Sequence, residues 1–320
     1  VVLPTTPSFL PNMMASTKEQ RLTRLDLAKW IVNPENPLTP RTAVNRMWAQ
    51  FLGAPLSNNT GDLGSQGEWP SHPELLDWLA KEFVESGWST KHMVRTIVLS
   101  RTYRQSSAIQ PELLEKDPGN RLLARQSRRR LDAEFIRDNA LAVGGLLDPG
   151  IGGRSVKPYQ PAGHYQHLNF PRRKYEADKG QHQYRRGLYT HWQRTFLHPM
   201  MKNFDAPSRE ECAVERPQAN TPLQALNLLN DPSFTEAARG LAELVLASDD
   251  AVAAAFERAL ARPASTDELQ LLRELHEREL KRFAADPKAA GELISIGLRP
   301  VPADADPVEL AAMTSVCRAI

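Results

Sequence analysis

The stretch SHPELLDWLAKEFVESGWS, residues 71–89, decides the fold class of this chain. Its apolar side chains recur three and four positions apart, which is the period of an amphipathic α-helix. Ser71 to Glu74 have the sequence of a capping box that starts a helix, and Gly87 is a typical helix stop. The stretch therefore predicts one helix that ends near Gly87 and a second helix that begins after Ser89.

The same helical period continues on both sides of this stretch. On the N-terminal side it predicts a helix that ends at Asn33-Pro34 and another that begins at Thr39-Pro40 and stops at Gly53. On the C-terminal side it predicts helices that begin after Thr221 and Ser265, where cap residues precede apolar runs. The sequence thus predicts a mainly α, multi-helical fold.

Helical periodicity disappears in residues 148–200, where Gly, Pro, Tyr and Arg dominate. Within this region Gly187–Trp192 alternates weakly and predicts a strand. We therefore expect residues 1–17 to be a linker and residues 18–320 to form a single helical domain with a small, irregular, β-containing insertion. Long irregular stretches carry function more often than regular elements do.

Charge is unevenly distributed along the 320 residues, although the net charge is only +2. Residues 101–200 hold 18 Lys and Arg against 9 Asp and Glu, whereas residues 201–320 hold 13 against 20. This pattern predicts either internal pairing or an anionic partner. The near-neutral total argues against a nucleic-acid partner, and the lack of an 18-residue apolar run argues against a membrane span.

The cysteines and histidines predict no cofactor on this chain. Cys212 and Cys317 belong to no CxxC or CxxCH motif, and the eight histidines include no HExxH. We therefore expect neither haem nor a metal site. Two buried free thiols are the favoured state of the cysteines, and a disulfide between them is the alternative.

The densest polar cluster of the sequence is RRRLDAEFIRD, residues 128–138. On a helix, Arg130, Glu134, Arg137 and Asp138 would share one face. Glu134 and Asp138, with Asp205 as a further candidate, could form a carboxylate pair for acid–base chemistry. The favoured interpretation is a structural network of salt bridges that joins this helix to its neighbours.

Cations alternate with aromatic residues near the end of the irregular region, in YRRGLY at residues 184–189 and in the residues that follow. Such a pattern suits sugar stacking, contact with phosphate or sulfate groups as in an anionic glycan, or nucleic acid, of which nucleic acid is the least favoured. The alternative is an edge strand whose arginines pair with carboxylates such as Glu134 and Asp138. The candidate ligand-binding residues are Arg129, Arg130, Arg185, Arg186, Tyr189, Trp192 and Arg194.

Seven segments, taken in order, resemble motifs of one known family, the planctomycete-type PSD domain or domain of unknown function 1553. The resemblance runs from about residue 5 to about residue 310. The segments that carry it are residues 37–48, 70–80, 87–89, 102–107, 129–138, 184–189 and 220–226.

The resemblance implies a C-terminal part of a large bacterial protein, with a cytochrome-c-like domain upstream and a periplasmic or cell-envelope location. It implies no catalytic residue. We therefore expect an accessory or binding module of a cytochrome-c-linked envelope protein, which recognises an anionic polysaccharide or a protein partner. One alternative is a polysaccharide hydrolase or lyase with paired carboxylates. Another is a structural scaffold for upstream domains, which predicts an exposed apolar patch and no polar cleft.

Overall fold

The computed structural model describes residues 5–13, 21–64, 66–165, 174–194 and 196–320. Within these residues the chain forms thirteen α-helices, two short 3₁₀-helices and no β-strand. The predicted mainly α fold is therefore confirmed. Among the same residues, none of the helices has both the length and the apolar composition that crossing a bilayer requires.

The chain forms two compact units, one of residues 1–129 and one of residues 130–320. Each unit contains an apolar core of its own. The single domain predicted for residues 18–320 stays a prediction. The linker predicted for residues 1–17 lies partly outside the described residues.

The first unit contains five helices, which are α1 (Arg24–Ile31), α2 (Leu38–Leu52), α3 (Pro73–Glu85), α4 (Thr90–Val98) and α5 (Pro111–Lys116). Helices α2, α3 and α4 pack around one apolar cluster that includes Val44, Trp48, Leu79, Phe83 and Met93. These residues lie on the apolar helix faces that the sequence predicts, so the same periodicity that forms the helices also builds the core.

The two helices predicted from residues 71–89 are present, but the first begins differently. Ser71 does not cap α3, because its hydroxyl donates to the carbonyl oxygen of Leu56 at 3.3 Å, and His72 takes the cap position. The predicted capping box is therefore wrong. Ser89 does cap α4, since its hydroxyl accepts from the backbone N–H of His92 at 3.3 Å.

The second unit contains eight helices, which are α6 (Ala133–Val143), α7 (Pro199–Asn203), α8 (Pro222–Asn230), α9 (Pro232–Val245), α10 (Ala251–Leu260), α11 (Thr266–Ala285), α12 (Pro287–Ile294) and α13 (Pro307–Ala319). The helices predicted after Thr221 and Ser265 are confirmed as α8 and α11. Helices α9 and α13 lie at the centre, where Leu241 packs in the same core as Leu310 and Met313.

The strand predicted for Gly187–Trp192 is wrong. Gly187–Tyr189 is a 3₁₀-helix, and the described part of residues 148–200 contains only two isolated bridges, Asp148 with Arg185 and Val156 with Thr190. The physical reason lies at Gly187, whose backbone N–H donates to the carboxylate of Asp138 at 2.6 Å and whose backbone packs directly on Glu134. This attachment to α6 turns the chain and prevents a continuous ladder.

Candidate functional site

Glu134, the first candidate acid, lies in the first turn of α6 and is held by arginines. Arg216 donates to both of its carboxylate oxygens, at 2.6 and 3.3 Å, and Arg209 lies 3.7 Å away. Burial alone would raise the pKa of Glu134, but the hydrogen bond and charge of Arg216 outweigh it and lower the pKa. Glu134 is therefore a paired carboxylate that stays ionised.

Asp138 lies one turn further along α6 and faces the irregular region. Its carboxylate accepts from the N–H of Gly187 and lies 3.9 Å from the guanidinium of Arg186. Burial raises the pKa of Asp138, and the hydrogen bond from Gly187 only partly offsets this effect. Its contacts attach the irregular region to α6.

Asp205, the third candidate acid, is also engaged. It accepts from Arg130 at 2.5 Å, from the N–H of Ala219 at 2.8 Å and from Gln224 at 3.5 Å. Burial would raise its pKa, but these donors outweigh burial and lower the pKa. Arg130 lies before α6, which begins at Ala133, so the single helix face predicted for Arg130 and Glu134 is wrong.

Arg185 is turned into the fold. Its guanidinium donates to the carbonyl oxygens of Gly150 and Arg154 at 3.1 Å each, and also to that of Gly152. The same group stacks on the ring of Tyr189 with 4.0 Å between the guanidinium carbon and the ring centre. The hydroxyl of Tyr189 in turn accepts from the N–H of Gly152 at 2.7 Å. This cation–aromatic pair thus closes the loop at residues 150–154.

The remaining candidate ligand-binding residues contact different partners. The indole of Trp192 donates to the carbonyl oxygen of Ser208 at 2.8 Å and carries Arg209 over its ring at 3.7 Å. Arg194 is exposed and lies 3.7 Å from Glu210. Arg129 belongs to the first unit, where it donates to carbonyl oxygens at the end of α2. The structure thus brings Arg185 together with Tyr189, and Arg186 with Asp138.

Neither of two cavities in the described structure is lined by the candidate acids. One, of about 350 Å³, lies in the first unit against Pro37, Pro40 and Ala80. The other, of about 310 Å³, lies in the second unit against His164, Tyr165 and Tyr175. Neither of these two cavities therefore opens at the carboxylates.

The two cysteines differ in exposure, and the potential metal ligands of the described residues do not cluster. Both cysteines are free; Cys317 is buried as predicted, whereas Cys212 is exposed, so its predicted burial is wrong. Within the part of the chain that the structure describes, no three His, Cys, Asp or Glu residues converge as metal ligands.

Glu236 on α9 is a buried hub that the sequence analysis did not single out. Its carboxylate accepts from the hydroxyls of Tyr159 at 3.0 Å and Tyr184 at 2.9 Å. It also accepts from the backbone N–H groups of Leu298 and Arg299, at 2.8 and 2.7 Å. Burial, followed by the hydrogen bond to Glu236, raises the pKa of Tyr184. One carboxylate thus joins three distant segments of the second unit to α9.

Beside this hub, His198 is buried as a neutral imidazole. Burial lowers its pKa to about 4, and the nearby charge of Arg137 acts in the same direction, although Nε2 bonds to the carbonyl oxygen of Tyr159 at 2.6 Å. Because the unfolded chain binds this proton near pH 6.5, the contribution of neutral His198 is complete above pH 6.5. It falls as the pH drops towards 4.

We expect the free energy of unfolding of the wild-type chain to fall by about 1–2 kcal/mol more than that of His198→Gln between pH 7.5 and pH 5. Glutamine keeps an N–H donor for Tyr159 but does not titrate. Urea denaturation at each pH measures the difference. Parallel stability curves for the two proteins would contradict the assignment.

Helix α8 carries leucines outward and a glutamine inward. Leu223, Leu226 and Leu229 recur three residues apart and expose 52%, 56% and 44% of their surface. Gln224 is the buried residue of the helix, and it donates to the carbonyl oxygen of Asn203 at 2.8 Å while accepting from Arg130 at 3.2 Å. An outward leucine row on one helix is an exposed apolar surface of the kind that binds partners. We call Leu223, Leu226 and Leu229 the leucine face.

The comparisons with known proteins point to one family. A family model for PSD1, described as a protein of unknown function (DUF1553), matches residues 23–276. This match confirms the family predicted from the seven segments. No curated protein and no solved structure matches the chain.

Proposed function

The chain belongs to the PSD1 family of proteins of unknown function (DUF1553), and from that premise we propose that it is a docking module. In this proposal the leucine face of α8 packs against a neighbouring protein domain. The single observation that supports this proposal is that α8 buries a polar residue, Gln224, and exposes an apolar one, Leu226.

Polar contacts at both ends hold α8 in this orientation. Gln224 near its start joins Asn203 and Arg130, and Arg318 of α13 donates to the carbonyl oxygen of Leu229 near its end. Burying one leucine side chain stabilises a fold by about 1.5–3 kcal/mol. Rotating α8 to bury its leucines would break these contacts and leave Gln224 without its partners, so the leucine face stays outward and ready for a partner.

The size of the leucine face favours a partner that is held close by. Stable complexes of free proteins bury about 800 Å² on each side, and three half-exposed leucines supply only a part of that area. A domain on the same polypeptide has a high effective concentration, so a small apolar face is enough to dock it. The proposed partner is therefore the upstream cytochrome-c-like domain that the family resemblance implies, and an envelope location belongs to the same proposal.

The test is a binding measurement between this chain and that cytochrome-c-like domain, purified separately. We expect Leu226→Asp with Leu229→Asp to weaken binding at least tenfold, because two charges would enter an apolar contact. The matched control is Leu271→Asp on α11, where a leucine that is 67% exposed stands outside the leucine face. Circular dichroism checks that all variants fold.

Two results would defeat the docking proposal. One is unchanged binding in the double variant. The other is equal weakening by Leu271→Asp, which would show that any added charge on the surface has the same effect.

Recognition of an anionic glycan through Arg185, Arg186, Tyr189, Trp192 and Arg194 stays a prediction. The exposed position of Arg194 supports glycan recognition. Arg185, however, already donates its hydrogen bonds to backbone carbonyl oxygens. A glycan would have to replace those bonds, and the docking proposal needs no such exchange.

The hydrolase or lyase alternative has less support than docking. Such enzymes place two carboxyl groups across an open cleft. Glu134, Asp138 and Asp205 are instead engaged by arginines and backbone N–H groups, away from both cavities.

A further inference from the structure

Residues 86–111 of the first unit contain no Asp or Glu and four Lys or Arg residues. Helix α4 and the turn after it carry all four, which are Lys91, Arg95, Arg101 and Arg104. All four side chains are exposed. Within the described ranges, none of the four has a carboxylate within 4.0 Å, unlike Arg130, Arg194 and Arg216 of the second unit.

Three carboxylates of the adjacent helix α3 have partners other than these four cations, and the first is Asp77, which lies 2.6 Å from Arg41. Glu82 lies 2.6 Å from Nε2 of His92, and Glu85 lies 3.6 Å from Lys81. The four cations therefore have no carboxylate partner among the described residues, although Glu82 contacts His92 of α4.

Apolar side chains lie among these cations on α4 and at its end. Met93 and Ile97 point inward and are buried, so the helix is fixed in its orientation. Val94 lies on the flank of the helix beside Met93 and is 37% exposed, and Leu99 at the end of the helix is 62% exposed. We call Lys91, Val94, Arg95, Leu99, Arg101 and Arg104 the basic face.

We propose that the basic face binds an anionic lipid surface. Cations attract acidic headgroups, and the apolar side chains between them can enter the boundary below the headgroups. A soluble polyanion would use the cations but would gain nothing from Val94 and Leu99. A nucleic acid would use aromatic stacking, whereas the ring of Tyr103 packs against Phe51. This inference is independent of the docking proposal, because it rests on other residues.

Vesicle co-sedimentation of the whole chain tests the inference. We expect the wild-type chain to sediment with vesicles of phosphatidylcholine that contain about one third phosphatidylglycerol, and not with phosphatidylcholine alone. Lys91→Glu with Arg95→Glu should reduce binding at least tenfold. Lys116→Glu with Lys281→Glu makes the same charge change at exposed positions outside the basic face and should leave binding within twofold.

Val94→Ser with Leu99→Ser should also weaken sedimentation, because it removes the apolar contribution and leaves every charge in place. The inference is overturned by equal losses in the two charge-reversed variants, or by full binding of the serine variant. It is equally overturned if the chain binds soluble dextran sulfate but does not sediment with the anionic vesicles, since the partner would then be a soluble polyanion.

Discussion

Replacing Glu236 with alanine is expected to lower the free energy of unfolding by about 3–5 kcal/mol, the range found when one partner of a buried charged network is removed. Glu236 is 1% exposed and accepts four hydrogen bonds. Alanine would leave the buried hydroxyl of Tyr184 and the N–H groups of Leu298 and Arg299 without acceptors. Each orphaned group costs about 1–3 kcal/mol, so even partial relaxation leaves a large loss.

Two further variants make this result specific. Glu236→Gln keeps one acceptor oxygen and is expected to lose less stability than Glu236→Ala. Glu292→Ala on α12 removes an exposed carboxylate and is expected to change stability by no more than about 0.5 kcal/mol. Urea denaturation followed by circular dichroism measures all three. A loss in Glu236→Ala within about 1 kcal/mol of that in Glu292→Ala would contradict the role of Glu236 as a hub.

The helices were predictable because their signals are local. Ser89 and Ser265 each cap a helix through a donor three residues away, and the apolar side chains of α3 recur within single turns. Such contacts join residues that lie within a few positions of one another in the sequence. This is why the mainly α fold and most helix starts follow from the sequence alone.

The hub at Glu236 could not be predicted, because its partners are distant in sequence. Tyr159 lies 77 residues before it and Arg299 lies 63 residues after it. Helix α9 is also buried on all sides from Ser233 to Ala242, so no polar face marks where a charge belongs. The signal that was present is Glu236 followed three positions later by Arg239, in a run of mainly small and apolar residues.

The sequence singled out residues of the candidate site, but it did not predict which residues contact one another. The preference for a salt-bridge network fits the contacts of Glu134, although its main partner, Arg216, lies 82 residues away and was not identified. The leucine face shows the same limit. The sequence predicts where α8 starts, whereas the side that faces inward depends on Gln224 meeting Asn203 and Arg130.

The second large effect is expected at the contact between α6 and α9, where two glycines allow the backbones to approach. A Cβ added to Gly240 would lie well inside van der Waals contact with the carbonyl oxygen of Gly144, and one added to Gly144 would meet the carbonyl oxygen of Ala237 in the same way. The obstructing atoms belong to the backbone, so no side chain can rotate away. The two helices would have to separate.

Gly240→Ala therefore sets two effects of opposite sign against each other. Alanine within a helix is favoured over glycine by about 1 kcal/mol, whereas overpacking costs about 1–3 kcal/mol and more where backbone must move. Because the obstructing atom is backbone, the steric cost at Gly240 should reach the upper end of this range, with a net loss of about 2 kcal/mol. At Gly291 in α12 an added Cβ meets nothing within 4 Å, so Gly291→Ala should instead gain about 0.5–1 kcal/mol. The two alanine variants should thus differ by about 3 kcal/mol in urea denaturation, and equal stabilisation by both would show that the α6–α9 contact is looser than the glycine pair indicates.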